Sequence, residues 1–374
     1  MNVCFFGTYD RGHSANRLLA NAVEASGARL DEVHVPLWEA EPNKTRRYFG
    51  ARSLGGLARR YVASAGALRR RWRARGGPPP VVLVGFGGQL DVVLAARVCR
   101  PRRGLVFAPL VSLTETLVED RRVFPAGGAR ARALAALDRL TLRLPDLVLA
   151  DTAAHGRYLA GLGAEPGRVA TWYLGAEPEF LSPQPPRPID GRVLFIGRYL
   201  PLHGLETIVA AAARLGSRAR ITMVGDGPER ARAEQLAREM RAPIDWRPPL
   251  PLDELPGELS RAAVVLGVFG SSEKAAMVVP NKVYQAAAVG RPLVTRDGPG
   301  LREAFEPGTH CLACPPGDPD ALAAAIVRLL DDRVLAERIG AAARERVLTA
   351  FGPSAQAARI RDVLGARFDE TVHG

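Results

Sequence analysis

No apolar run in this 374-residue chain approaches the roughly 18 residues that a membrane-spanning helix requires. The opening apolar stretch, Val3 to Phe6, is also far too short for the core of a signal peptide. The expectation is therefore a cytoplasmic protein. Cysteine is scarce: Cys4, Cys99, Cys311 and Cys314 do not make a disulfide framework in a chain this long. Cys311 and Cys314 form a CxxC pair, but a structural zinc needs four ligands, and no second pair or histidine cluster is available. A strand end beside a turn is the simpler reading. Acidic residues are missing altogether from Pro42 to Leu90, where Lys44, Arg46, Arg47, Arg52, Arg59, Arg60, Arg69, Arg70, Arg71, Arg73 and Arg75 stand. Against a formal charge of +12 for the whole chain, this leaves the remainder close to neutral. A patch so localised suits an anionic partner: a membrane surface, nucleic acid or a phosphorylated substrate.

Hydrophobic residues make up 47% and charged residues 24%, a soluble globular profile, and the length is about two domains' worth. Short apolar runs alternate with helical stretches in the first half: Val3 to Phe6, Glu32 to Val35, Val81 to Gly85, Leu105 to Ala108, Leu147 to Ala150 and Val169 to Tyr173. Their length and flanks make them buried strands, and the alternation implies a parallel sheet covered on both faces. Four prolines within Ser182 to Pro188 exclude helix and central strand and mark a linker. The pattern then restarts at Val193 to Gly197, Arg220 to Val224, Ile244 to Trp246, Ala263 to Val268, Pro292 to Thr295 and Cys311 to Ala313. The fold class expected is α/β, two doubly wound Rossmann-like domains facing a cleft: 1–181, a linker over 182–191, 192–350, and a final helix within 351–374 that crosses back to the first domain.

Three segments carry chemistry. Val193 to Gly204 is a strand ending at Gly197 and Arg198, then a loop closing at His203 and Gly204 before a helix; such a turn holds phosphate on helix N–H groups, and a guanidinium grips a diphosphate without metal. An ordinary crossover with a solvated arginine fits equally well. Met223 to Glu229 repeats the plan with Gly225, Asp226, Gly227 and Pro228, whose glycines allow close backbone approach. In Phe269 to Thr295, Pro280 and Asn281 open a helix whose first amides, with Lys274 and Lys282 nearby, face the same cleft. Asp318-Pro-Asp320 superficially matches a metal-binding Asp-x-Asp but reads as a helix start.

These three motifs, in this order and spacing, resemble the donor domain of the family-4 retaining glycosyltransferases of the GT-B fold, and more narrowly a bacterial subgroup with a PNKVYQ-type motif. The segments VCFFGTYDRGHSANRLL, LVSLTETLVEDR and DTAAHGRYLAGLG resemble its acceptor half. The resemblance implies a sugar moved from a nucleoside diphosphate-sugar to a hydroxyl acceptor, lipid-linked or small and hydrophilic, with retention and with neither cofactor nor metal. Arg198 and Lys282 would stabilise charge on the diphosphate. Gly7, Gly197, His203, Gly225, Asp226, Gly227, Lys274, Pro280, Asn281 and Gln285 would complete the donor site, Gln285 against the ribose. His203 stands where the family usually has Lys, and Gln285 and Met277 where it has Glu; Glu273 is a partial substitute.

In the first half, Asp10 and Glu115 are further catalytic candidates, Thr114 and His155 acceptor contacts, and Ser112 is similar. Solvated loop residues and helix caps explain them as well, and His13 reads as exposed. Leu54, Leu57, Ala58, Tyr61, Val62, Ala65, Leu68 and Trp72 recur as the stripe of an amphipathic helix flanked by arginines. Through residues 46–75 it would rest on the anionic inner face of a membrane, or else pack on the sheet with a solvated face. A nucleotide-sugar epimerase and a catalytically silent binding subunit are the alternatives; no nucleic-acid motif accompanies the arginines.

Overall fold

The structure, a computed structural model, describes residues 1–38, 51–182 and 188–368, without the side chains of 51–54. Lys44, Arg46, Arg47 and the proline run from Pro183 to Arg187 lie outside the described residues. The chain divides into two compact units. One comprises residues 1–118, 122–174 and 353–374, the other residues 119–121 and 175–352.

In the first unit all described strands run parallel in the order β2-β1-β3-β4-β5-β6. They are β1 (Asn2–Gly7), β2 (Arg29–His34), β3 (Val81–Val84), β4 (Gly104–Phe107), β5 (Leu147–Ala150) and β6 (Val169–Thr171). Every residue of β3, β4 and β5 is buried, as expected of strands covered on both faces. The final helix, Pro353–Phe368, belongs to this unit and packs against Ser14–Ala25. Burying Ile360 and Leu364 fixes it there, and Gln356 donates to the carbonyls of Tyr173 and Leu174.

The basic stretch is a helix, Ala51–Ala74. Its last turns bury Ser64, Leu68 and Trp72 in the unit's core. Val62, placed in the apolar stripe by sequence, is instead 70% exposed, and Ala58 is exposed too. The helix turns toward the sheet through 61, 64, 68 and 72, so the buried face is narrower than the apolar count suggests. Tyr61 contributes its hydroxyl to Asp91 at 3.1 Å. Some arginines are held internally: Arg75 pairs with Asp31 at 2.9 Å, and Arg71 donates to the His34 carbonyl.

The second unit has β7 (Arg192–Gly197), β8 (Arg220–Gly225), β9 (Ile244–Arg247), β10 (Val264–Leu266), β11 (Leu293–Arg296) and β12 (Leu312–Cys314), all parallel, in the order β12-β11-β10-β7-β8-β9. Counted from β7 this is the doubly wound order 3-2-1-4-5-6, whose direction reverses between β7 and β10. Ligands of such sheets bind beyond the carboxyl ends of the strands at that reversal. The helices Leu205–Leu215 and Pro319–Asp331 close one face over Phe195, Met223 and Leu266. Asp318 accepts the amides of Asp320 and Ala321 at 3.0 and 2.9 Å and caps the second of these helices. Cys311 and Cys314 are buried at β12, with Cys314 in the core.

Candidate functional site

Strands β7 and β8 run in register, so Gly197 lies opposite Gly225. Any side chain at Gly225 would overlap the Gly197 carbonyl, and one at Gly227 the Arg198 carbonyl. The glycines of the Gly-Asp-Gly-Pro turn therefore let two loops of this unit touch each other; the backbone they approach is the protein's own. Asp226, exposed, accepts the Gly227 amide at 2.8 Å. Tyr199 takes φ +45° and is fully buried, near the rings of Phe195 and Trp246, while Arg198 stays exposed just past the strand end.

The helix Asn281–Val289 follows Pro280, which fixes the approach but offers no side-chain cap to its first amides. Lys282 on its first turn carries the ammonium 3.9 Å from the centre of the Phe195 ring. That nitrogen is buried and has no hydrogen-bond partner among the described residues. It lies so close to Gly197 that a side chain there would collide with it. Burial holds its pKa well below the ordinary lysine range.

His203 is buried beside the same spot, edge-on to Phe195. The Leu200 amide donates to its Nδ1 at 3.1 Å, which assigns the proton of the neutral ring to Nε2. Burial first, and then Lys282, keep its pKa well below the usual value. It offers a donor without a charge. Lys274 is buried in the helix Glu273–Met277, capped by Ser272, and Met277 is buried with it. Glu273 is exposed. The Gln285 amide donates to another carboxylate, the fully buried Glu177, at 2.9 Å. Nothing in the sequence around Glu177 marks it as the partner of a residue 108 positions later.

In the first unit, β1 ends at Gly7 (φ +140°), where a side chain would lie 2.6 Å from Asp91 Oδ2. Asp91 accepts the Thr8 amide at 2.7 Å and the Thr8 hydroxyl at 2.9 Å. Asp10 closes its own turn by accepting the Gly12 amide at 2.9 Å. His13, half-buried, caps the following helix through Nδ1 and packs on Phe86, which corrects its reading as an exposed residue. Thr114 is half-buried and its amide is held by Asp138 at 2.8 Å. Glu115 and His155 are both fully buried. Ser112 and Glu115 bond each other's amides at 3.1 and 3.0 Å, a reciprocal cap on a π-helical turn, Glu115–Asp120. His155 reaches Asp151 at 2.5 Å and Glu115 at 3.3 Å. Burial pulls the imidazole down, but the Asp151 carboxylate and then Glu115 outweigh it and push the pKa up to about 10. The three side chains form a buried ionic cluster inside the unit, and the raised pKa favours the charged imidazole there.

Residues 190–332 match the family model for "Glycosyl transferases group 1". The match covers less than half of the chain. A D-inositol 3-phosphate glycosyltransferase of Acidothermus cellulolyticus is 32% identical over 277 residues, 65% of this chain and 58% of that protein, so the chain spans less than two thirds of that relative's length. The fold is shared with a sucrose-phosphate synthase from Thermosynechococcus elongatus (TM-score 0.73, 20% identity, 98% of each chain). It is also shared with Anabaena Alr3699/HepE, solved in complex with UDP and glucose (TM-score 0.67, 16% identity, 98% of this chain and 100% of that one). These neighbours are of the GT-B fold. All of Arg198, His203, Asp226, Lys274, Lys282 and Gln285 lie inside the matched residues. Among the described residues no helix is long and apolar enough to cross a membrane.

Proposed function

We propose that this protein moves a sugar from a nucleoside diphosphate-sugar to a hydroxyl acceptor, with retention of configuration and without a metal. One observation carries the reading: a buried ammonium, Lys282, without a hydrogen-bond partner among the described residues, at the carboxyl end of β7. Charging that nitrogen unpaired is costly, which is why burial lowers its pKa, and an anion arriving there removes the cost. A diphosphate fits the surroundings. The exposed Arg198 guanidinium would take the phosphate oxygens bidentately, the first-turn amides of Asn281–Val289 would add dipoles, and neutral His203 would donate through Nε2.

As the bond from the anomeric carbon to the diphosphate oxygen breaks, negative charge grows on the leaving phosphate, and Arg198 and Lys282 stabilise it. The acceptor hydroxyl attacks from the face the phosphate leaves, and a phosphate oxygen takes its proton, so configuration is retained and no protein base is required. The acceptor is assigned to the first unit, beyond β1 near Asp10 and the Thr114 turn; the buried Glu115 and His155 shape that turn from behind. Arg59, Arg69, Arg70 and Arg73 are exposed on the basic helix and would let a lipid-linked acceptor be reached from an anionic membrane face.

The test is a thermal-shift screen of UDP-, GDP-, ADP- and dTDP-sugars, followed by product analysis with and without acceptor. At least one donor should raise the melting temperature, and Arg198→Ala should weaken it about 10- to 100-fold, the worth of a charge-assisted contact. No binding by any donor, or unchanged affinity in the variant, would overturn the proposal. Conversion of the donor to an epimer without acceptor would replace it.

A further inference from the structure

Gln285 stands three residues after Lys282 on the helix Asn281–Val289, so the two side chains leave the same helix face. Its amide nitrogen is 2.9 Å from Glu177 Oε2, and both groups are buried. The atom at this distance is Nε2, so the NH2 end of the amide donates to the Glu177 oxygen. The carbonyl end, Oε1, is thereby turned away from Glu177, and the amide loses its freedom to flip. A carboxylate at position 285 would have faced a second carboxylate at hydrogen-bond distance in a buried setting, which is strongly unfavourable. The other oxygen of Glu177 is buried without a hydrogen-bond partner among the described residues. Glu177 is thus held where its own hydrogen bonding is incomplete, as a group kept for its effect on a neighbour would be.

We infer that Glu177 is a positioning residue for the donor site: it locks the Gln285 side chain with its oxygen outward, as an acceptor for a ribose hydroxyl of the nucleoside diphosphate whose phosphates Lys282 meets. This rests on the donor-site reading above. Recognition of the hydroxyl is by a fixed amide oxygen, one acceptor with no negative charge of its own. Glu177 acts from behind and touches no substrate.

The experiment compares the affinities of UDP, GDP and ADP with those of their 2′,3′-dideoxy forms, in the wild type and in two variants. The wild type should prefer the ribose form by about 3- to 10-fold, the worth of one or two neutral hydrogen bonds. Glu177→Gln, of the same shape, frees the Gln285 amide to flip. It should bind the dideoxy form as the wild type does while the preference falls to near unity. The exchanged pair, Glu177→Gln with Gln285→Glu, places an acceptor at 285 again and should restore the preference, which a merely structural role for Glu177 would not produce. Binding by the wild type with no preference, or a full preference retained in Glu177→Gln, overturns the inference and leaves the diphosphate site standing. Should Glu177→Gln not fold, the exchanged pair decides: loss of the preference in a folded exchanged pair overturns it equally. Failure of the wild type to bind any of the diphosphates overturns both readings.

Discussion

Lys282→Met separates stability from binding in one substitution. Methionine keeps an unbranched stem of similar length over Phe195 and removes only the ammonium, whose hydrogen-bonding capacity is unmet inside the unit. A buried polar group left unsatisfied costs about 1 to 3 kcal/mol, more when charged. The variant without ligand should therefore be more stable than the wild type, and at about 2–4 °C per kcal/mol the gain is readable by calorimetry. The sign with pH follows from the depressed lysine pKa. At high pH the side chain is neutral folded and unfolded, and only the smaller cost of an unsatisfied neutral amine remains. As pH falls below the ordinary lysine value of about 10.4, the unfolded chain takes up a proton that the folded state resists, and the penalty grows. The melting gap between variant and wild type should widen from pH 10.5 to pH 7. The same variant should lose about 10- to 100-fold in affinity for whichever nucleoside diphosphate binds the wild type. A variant less stable than the wild type at pH 7, or one with undiminished diphosphate binding, refutes the reasoning.

Two further outcomes are expected. His155→Ala removes the imidazole shared by two buried carboxylates, Asp151 and Glu115, and should cost about 3–5 kcal/mol in urea unfolding of the first unit. Since the folded histidine titrates near 10, above its unfolded value, its stabilisation is complete below about pH 6.5 and is lost as pH rises toward 10, so wild-type stability should fall across that window more steeply than the variant's. Replacing Arg59, Arg69, Arg70 and Arg73 by Glu should abolish co-sedimentation with vesicles containing phosphatidylserine at low salt while leaving donor hydrolysis unchanged; equal sedimentation of both proteins would remove the membrane from the account.

The strands and helices of the second unit were legible because their signals are local. A run such as Val193 to Gly197 is apolar, β-branched and closed by glycine, and the observed β7 differs from it by one residue. Pro280 before and Gly290 after bracket the helix Asn281–Val289, and both act within their own turn. The basic helix was legible as a helix, but not its orientation: apolar count favoured a stripe through Val62, whereas packing chose Ser64, Leu68 and Trp72, because the sheet accepts only a narrow ridge there. The carboxylates that organise the interior were not legible at all. Glu177, Asp91 and Asp138 act on residues far along the chain or on backbone amides, and no spacing announces such a partner. Even the Gly-Asp-Gly-Pro turn was legible in position and not in cause, since its glycines relieve contact with Gly197 and Arg198 before any ligand is considered.

Both units are built on a six-stranded sheet, in the orders β2-β1-β3-β4-β5-β6 and β12-β11-β10-β7-β8-β9, and they treat the ends of β1 and β7 in opposite ways. Beyond β1 burial raises a carboxylate, Asp91, and three donors draw it back, the Thr8 amide, the Thr8 hydroxyl and the Tyr61 hydroxyl, so that the balance stands at about 6. Its bonds are supplied from within the unit. Beyond β7 the buried Lys282 nitrogen meets an aromatic face and a neutral histidine that already spends its Nδ1 on the Leu200 amide, and it has no hydrogen-bond partner among the described residues. Nothing in the fold obliges a lysine there; a methionine would pack on Phe195 as well and leave no charge to solvate. The first arrangement lowers the cost of a buried charge and the second leaves it standing. An uncompensated buried group is where a ligand from outside the polypeptide has most to gain, which is the physical ground for proposing the anion at β7.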